Sequence, residues 1–315
     1  MPVRLPQPGS NGIFTPEPPP TPSSSGLRIA TLNAAFLFDG VGDEGQATFP
    51  HKDDPELAQA HLQRVGAVIR MLDADVVMLQ EVENEDVLHL LLQGPLAGAG
   101  YTPYFVQGTD TFTGQDIGLL ARVPVDDVSR TDERVPVKGT DDTYGVSKNL
   151  IARLNLGNIP VTLIGLHFLA QPDNKERKPR REAQAEVIRR VVASEIAAGR
   201  AVAVLGDFND HDEDTPDAAG NRPITNVLAI IKRAGAGASD DLRNVMASVP
   251  QEERFTHFWD RNDNGIVEEG ELSAIDHILL SPELHSRVVD VDYVHAHDPM
   301  TYTDHFPILV TLDVD

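Results

Sequence analysis

The chain has 315 residues and no cysteine, which leaves room for one large α/β domain or two smaller ones and excludes a disulfide framework, a thiolate zinc site and a thiol nucleophile. Its 26 Lys and Arg face 49 Asp and Glu, a formal net charge of −23. That excess opposes non-specific binding to polyanions but does not exclude a nucleic-acid substrate, because bound divalent cations reverse a local field. No apolar run is long enough to span a bilayer.

Residues 1–26 are rich in Pro, Ser and Gly and carry no apolar periodicity. They are expected to form an extended or disordered leader, without the apolar segment of a signal peptide. From Leu27 to the C-terminus strands and helices alternate. The strand "LRIATLN" precedes a helix, "ELAQAHLQRVGAVIRML", with apolar residues at helical spacing. A strand "DVVMLQE" and a helix "EDVLHLLLQ" follow, then strands "YTPYFVQ", "DIGLLAR", "KNLIARLNL" and "IPVTLIGLHF". The last two turn through Gly157 and Asn158, which predicts a hairpin. A long helix "REAQAEVIRRVVASEIAAG", the strand "AVAVLGDF", a helix "ITNVLAIIKRAG" and four further strands complete the domain of residues 27–315. Hairpins mixed with βα units predict an α/β fold: two mixed sheets packed face to face as a four-layer sandwich, with helices outside.

Polar residues close several of these apolar strands. Asn33 ends the first, and Glu81 follows "DVVMLQ". His167 ends "VTLIGLHF", and Asp207 and Asn209 end "AVAVLGDFND". Asp276 and His277 lie in "AIDHILL", Asp304 and His305 in "YTDHFPILV". Polar groups beside fully apolar strand cores need partners, since burial without them is costly. Gathered on one rim, carboxylates, an amide and histidines would form a hard-cation site with acid and base groups beside it. His277 is expected to be a strand residue without a catalytic role, and His89, His211, His257, His295 and His297 are read as structural or solvent-facing.

The segment "DRNDNGIVEEGE" stands apart. Its oxygen-bearing side chains fall at the spacing of an EF-hand loop, with Gly265 sixth. The pattern predicts Ca²⁺ held by Asp260, Asn262, Asn264, Glu271, the Ile266 carbonyl and Glu268. It occurs once, between strands "RFTHFW" and "AIDHILL", which predicts a structural clamp instead of a sensor. A plain hairpin around Asn264 and Gly265 with exposed carboxylates is the alternative.

The ordered set "LRIATLN", "DVVMLQEVEN", "GLHF", "LGDFND", "AIDHILLSPEL" and "YTDHFP" resembles the endonuclease/exonuclease/phosphatase superfamily with the DNase I-like fold, from about Leu27 to the C-terminus. "REAQAEV" and "HAHDPMTYTDHFP" make the chain most similar to the secreted bacterial nucleases of that superfamily. The resemblance implies that Glu81 binds a catalytic Mg²⁺ or Mn²⁺, with Asn33 helping to hold that ligand set and Asp304 on the metal side. It implies that Asp207 activates water, Asn209 bonds the phosphate, and His305 contacts the scissile phosphate while held by Asp276. His167 would serve the leaving oxygen, oriented by Asp116. The sequence departs from the family in having Ala34 and Ala35 where relatives carry an extra acidic contact, and Thr303 where a serine is usual.

Substrate choice rests on less. Lys175, Arg177, Lys178, Arg180 and Arg181 fill five of the seven positions 175–181 in an otherwise acidic chain. They are expected either to hold flanking phosphates of a nucleic acid or to form a solvated loop and first helical turn, and Lys148, in "GVSKNLIARL", is a further candidate to reach a phosphate. No aromatic cluster for stacking single-stranded bases is visible. Three function classes follow: a metal-dependent nuclease, a phosphatase or phosphodiesterase for small or lipid esters, and a non-enzymatic calcium-binding module. No protein partner is inferable, and a monomer, secreted or at the cell surface, is expected.

Overall fold

The computed structural model describes residues 26–42 and 44–314; the predicted leader, apart from Gly26, lies outside them. In chain order the larger elements are β1 (Leu27–Leu37), α1 (Pro55–Leu72), β2 (Val76–Val82), α2 (Glu85–Gln93), β3 (Thr102–Phe105) and β4 (Asp116–Ala121). There follow β5 (Val125–Ser129), β6 (Arg134–Pro136), β7 (Thr143–Gly145), β8 (Lys148–Leu156), β9 (Ile159–His167), α3 (Lys178–Ala197) and β10 (Ala201–Asp207). The chain ends with α4 (Val227–Lys232), β11 (Arg243–Asn244), β12 (His257–Phe258), β13 (Leu272–Ser273), β14 (Asp276–Leu280), α5 (Pro282–His285), β15 (Val288–Tyr293) and β16 (Ile308–Leu312).

Two six-stranded sheets result, ordered β15-β16-β1-β2-β4-β3 and β11-β14-β10-β9-β8-β5. The parallel pairs β1–β2 and β9–β10 are joined through α1 and α3, as parallel strands require a crossover. Strand alternation fixes the layers. In β2, Val76 and Met78 enter the core between the sheets, while Val77 and Leu79 enter the core under α1 and α2. In β10, Ala201, Ala203 and Leu205 face the inter-sheet core, and Val202 and Val204 face α3 and α4. Central strands apolar on both faces are what a four-layer sandwich demands, so the predicted architecture is the observed one.

Local chemistry sets the ends of the first helix. The Asp54 side chain caps α1 by accepting from Glu56 N and Leu57 N, both at 3.0 Å, and Asp73 stops it in a left-handed conformation. Three expectations shift. The helix over "ITNVLAIIKRAG" shrinks to Val227–Lys232, and α3 starts at Lys178, ahead of the predicted Arg181. Strand "RFTHFW" narrows to His257–Phe258, and β5, β6 and β7 have no counterpart in the sequence reading because short, half-exposed edge strands leave little periodicity.

The sheets approach closely at Gly165 of β9. A Cβ there would lie 2.8 Å from Met78 Cγ on β2 and 2.9 Å from Ile117 Cγ2 on β4. Gly165→Ala is expected to destabilise the fold by ~1–3 kcal/mol through overpacking, and Gly165→Val by more. Urea denaturation measures this; an unchanged midpoint in both variants would show that the sheets separate freely at that point.

Candidate active site

The inner-face parity of the second sheet ends in polar residues. Strand register aligns Lys148 with His167, His167 with Asp207, and Asp207 with Asp276 across β8, β9, β10 and β14. Each lies an even number of positions from inter-sheet core residues of its own strand, namely Leu150, Leu163, Leu205 and Ile278. Period-two side-chain direction therefore aims all four at the opposing sheet, at the rim where the apolar filling stops.

The first sheet reaches that rim by a different device. Ile29, Thr31 and Asn33 share the inner face of β1, and in β2 the inner parity runs Val76, Met78, Gln80. Gln80 pairs with buried Thr31, its Nε2 3.1 Å from Thr31 Oγ1. By parity Glu81 should point away. A register shift between Gln80 and Val82, with Glu81 at φ 62, turns it back into the site. Its carboxylate accepts from Phe36 N at 3.0 Å, Gln115 Nε2 at 3.1 Å and Asn33 Nδ2 at 3.2 Å. The Asn33 amide also donates to Asp207 Oδ2 at 3.2 Å, linking the two sheets.

The remaining groups come from loops. Thr303 Oγ1 donates to Asn33 O at 2.8 Å and accepts from His305 N at 3.2 Å, so the hydroxyl that threonine shares with serine anchors the Asp304–His305 corner. His305 Nδ1 lies 2.8 Å from Asp276 Oδ2, and its Nε2 faces Asp207 Oδ2 at 3.9 Å. His167 Nε2 stands 3.5 Å from Asp207 Oδ2 and 4.0 Å from Glu81 Oε1. Asn209, at φ 49, bonds Asp207 Oδ1 through its backbone N and Phe168 O through Nδ2, which keeps one amide hydrogen available.

Burial and mutual repulsion dominate the electrostatics. Burial, and next the neighbouring Asp276, raise the Asp207 pKa above the ordinary carboxylate range; burial raises that of Asp304 as well. Burial alone would lower His305, but Asp276, Asp304 and Asp207 raise it to about 10, so this imidazole is cationic. His167 goes the other way, lowered by burial and by Lys148 and His305, and is neutral. The carboxylates of Glu81, bonded by Asn33, and of Asp304 are oxygen donors of the kind a hard divalent cation takes, and Asp276 Oδ1 is buried with no hydrogen-bond partner. Donor atoms of Asp207, Asp276 and His305 lie within 4.8 Å of one another, as do those of His257, Asp304 and His305.

Two sequence assignments, Asp116 and Arg181, are corrected. Asp116 does not orient His167: its Oδ2 accepts from Gln107 Nε2 at 2.9 Å and Gly108 N at 2.8 Å, while His167 Nδ1 is buried without a partner. Lys148 lines the cleft beside His167 and pairs with Asp110 at 3.3 Å. Arg181 is fully buried and donates to the carbonyls of Leu169, Gln171 and Pro172, out of reach of any substrate. Of the other basic residues, Lys175 and Arg180 are exposed, Arg180 lies over the Tyr144 ring at 5.5 Å, and Lys178 pairs with Glu182 at 3.8 Å. Arg177 lines a cleft of about 710 Å³ together with Arg134, Tyr144, Lys148 and His167.

Other residues join the site unforeseen. His257, read as structural, packs its ring 4.6 Å from that of His305. Thr256 Oγ1 accepts from Asp276 N at 3.0 Å, and Gln115 holds Glu81. The triplet "FTH" carries no motif, and only strand pairing brings it here. His277 is structural as expected, its Nε2 2.9 Å from Asp210 O. The segment 260–271 spans the tip of the β12–β13 hairpin, beside the rim and not within it. Arg181→Ala should lower stability by ~2–4 kcal/mol, since buried carbonyls lose their donor. Urea denaturation reads this out, and an unchanged midpoint would return Arg181 to the substrate-binding candidates.

Comparison with known proteins agrees with this fold. The 3'-5' exonuclease (NExo) from Neisseria meningitidis superposes with a TM-score of 0.61 at 18% identity, over 91% of this chain and 100% of that one. An AP endonuclease from Archaeoglobus fulgidus gives 0.60 at 18% identity, over 91% and 100%. D. rerio TDP2 complexed with single strand DNA product gives 0.55 at 18% identity, over 92% and 100%. At these identities the likeness concerns the fold. No curated protein matches the sequence. The Endonuclease/Exonuclease/phosphatase family matches residues 30–305, nearly the whole described chain, and the protein therefore belongs to that family of metal-dependent phosphoesterases.

Proposed function

We propose that the protein is a nuclease that cleaves DNA, and RNA as a further substrate, without base selectivity, using Mg²⁺ or Mn²⁺ at Glu81 and Asp304. The observation that carries this reading is the cleft beside His167, whose wall bears Arg134 and Arg177 together with Asp110, Asp132 and Glu133, each of these acids paired with a basic side chain, and with Arg180 over the Tyr144 ring next to it. Cationic and aromatic groups leading away from a hydrolytic centre suit a chain of phosphates better than a single ester. Two structural neighbours support it: a 3' phosphatase NExo variant from Neisseria is bound to a product DNA hairpin, and D. rerio TDP2 to a single strand DNA product. Extracellular action belongs to this reading, as does a structural Ca²⁺ at residues 260–271, an ion most abundant outside cells.

The residues divide the work by charge. Asp207, ionised when a bound cation offsets the burial and the Asp276 charge that raise its proton affinity, would accept the proton of the attacking water. Cationic His305, held by Asp276, donates to the scissile phosphate, and Asn209 adds its remaining amide hydrogen. Neutral His167 donates to the leaving oxygen. The cation, when bound, neutralises charge on the phosphate. A phosphodiesterase for small or lipid esters is the second reading, favoured by the net charge of −23, which repels long polyanions outside the basic wall.

Purified protein with Mg²⁺ or Mn²⁺ should nick plasmid DNA faster than it hydrolyses inositol phosphates; the reverse ranking would select the second reading. Asp207→Ala and His305→Ala should each lower hydrolysis by about 10²–10³-fold or more with an unchanged circular-dichroism spectrum. Glu81→Gln should move metal activation to higher concentration, and an unchanged titration would place the metal elsewhere. Neutralising Lys175, Arg177, Lys178 and Arg180 together should raise KM on DNA and flatten its salt dependence, while sparing a chromogenic diester. Equal losses on both substrates would mean that the segment serves the fold.

A further inference from the structure

Residues 260–271 take no part in the rim chemistry, yet the backbone ties them to it. Strand β12 is bonded on both sides. Toward β13, His257 pairs with Ser273 and Phe258 with Leu272, and Trp259 N donates to Glu271 O at 3.0 Å. Toward the catalytic corner, Phe258 N donates to Asp304 O at 2.8 Å, Phe306 N donates to Thr256 O at 2.7 Å, and His257 bridges His305. The hairpin that presents the loop is thus the support of Asp304 and His305.

Inside the loop, Asp260 accepts from Asn264 N at 3.1 Å and Gly265 N at 2.9 Å, and Asn264 Oδ1 accepts from Ile266 N at 2.7 Å. Gly265 sits at φ 67, the left-handed turn for which the sixth position needs glycine. Such bonds would form in any tight acidic turn. They leave Glu271 unexplained. This side chain is 6% exposed, and its Oε1 accepts from Arg261 N at 2.8 Å, which points the carboxylate into the loop. Its Oε2 is shut from solvent with no hydrogen-bond partner. The guanidinium of Arg261 lies over the Trp259 ring, 5.8 Å from its centroid. A buried carboxylate oxygen without a donor is costly, and a cation within the loop removes that cost.

We infer that residues 260–271 bind one Ca²⁺, and that the bound ion stiffens the β12–β13 hairpin and thereby holds Asp304 and His305 in place. The donors are the side chains of Asp260, Asn262, Asn264 and Glu271, the Ile266 carbonyl, and Glu268 directly or through water. Val267 packs on the cluster of Phe255, Phe258, Leu272 and Phe306, so the loop is seated on the domain itself. Short paired strands flank it instead of two helices, so it lacks the opening motion of a sensor. Only the importance of Asp304 and His305 rests on the hydrolase reading; the binding and stiffening do not.

Trp259, the single tryptophan of the chain, immediately precedes the loop and is exposed, which makes it an antenna for bound Tb³⁺. With Mg²⁺ saturating the rim, tryptophan excitation of the full protein should give sensitised Tb³⁺ emission. Ca²⁺ in the range of about 10⁻⁶–10⁻³ M should displace it, and added Mg²⁺ should not. Asp260→Ala combined with Asn262→Ala changes no fully buried residue and should abolish the emission with an unchanged circular-dichroism spectrum; Glu271→Gln should weaken Ca²⁺ by at least about tenfold. In the wild type, Ca²⁺ should raise Tm by about 2 °C or more and slow hydrogen exchange at the Phe258 and Phe306 amides, and do neither in the double variant. Absent emission in the folded wild type, or emission that survives in the double variant, would overturn the site. Binding without slowed exchange at those two amides would overturn the coupling. None of these readouts involves hydrolysis, so they stand or fall apart from the nuclease assignment.

Discussion

The Asn33 side-chain amide joins the two sheets at the rim where the polar groups gather, donating to Glu81 on one and Asp207 on the other. Both acceptors are carboxylates that repel each other, and Glu81 occupies a position the apolar strand pattern does not provide for. Asn33 is itself fixed: its Oδ1 accepts from Ala35 N at 3.0 Å, and its carbonyl accepts the Thr303 hydroxyl. Glu81 reaches the amide only because the backbone at this residue adopts a left-handed conformation, a local strain of about 1–3 kcal/mol held by the surrounding hydrogen bonds. Remove the amide, and the Glu81 bulge and the second sheet lose their common partner.

The same crowding explains the chemistry. Buried acids in mutual contact resist ionisation, while the imidazole among them gains a proton. Such a site is poised to accept a cation and a phosphate together: the cation relieves the carboxylates, and the anion matches His305. The contrast between cationic His305 and neutral His167 comes from their neighbours. Asp276 lies against the first, while Lys148 stands near the second and Asp116 is bonded elsewhere.

Much of this was legible in the sequence, for a physical reason. Strands with apolar residues at every position announce a sandwich, and a polar residue ending such a strand announces the rim, so Asn33, His167, Asp207, Asp276 and His305 could be found by pattern and spacing. Glu81 was also noted at a strand end, but its role came only from the resemblance, since its parity points the wrong way and no sequence rule signals the bulge. What stayed hidden depends on contacts between distant segments. His257 and Thr256 matter because β12 pairs with the catalytic corner, and Arg181 looked like a phosphate ligand because a basic run conceals which of its members faces inward. Asp116 makes no hydrogen bond to His167: Gln107 and Gly108 both bond its Oδ2, while its Oδ1 and His167 Nδ1 are each buried without a partner.

The role of the Asn33 amide is tested most directly by Mn²⁺ binding, followed through the electron paramagnetic resonance of the free ion, in the wild type and in Asn33→Ala. If the amide organises Glu81 and Asp207 for a cation, the variant should bind Mn²⁺ about 10–100-fold more weakly while keeping a folded circular-dichroism spectrum. Equal affinity in the two folded proteins would contradict the account, because the cation would then be held by groups that do not depend on the link between the sheets.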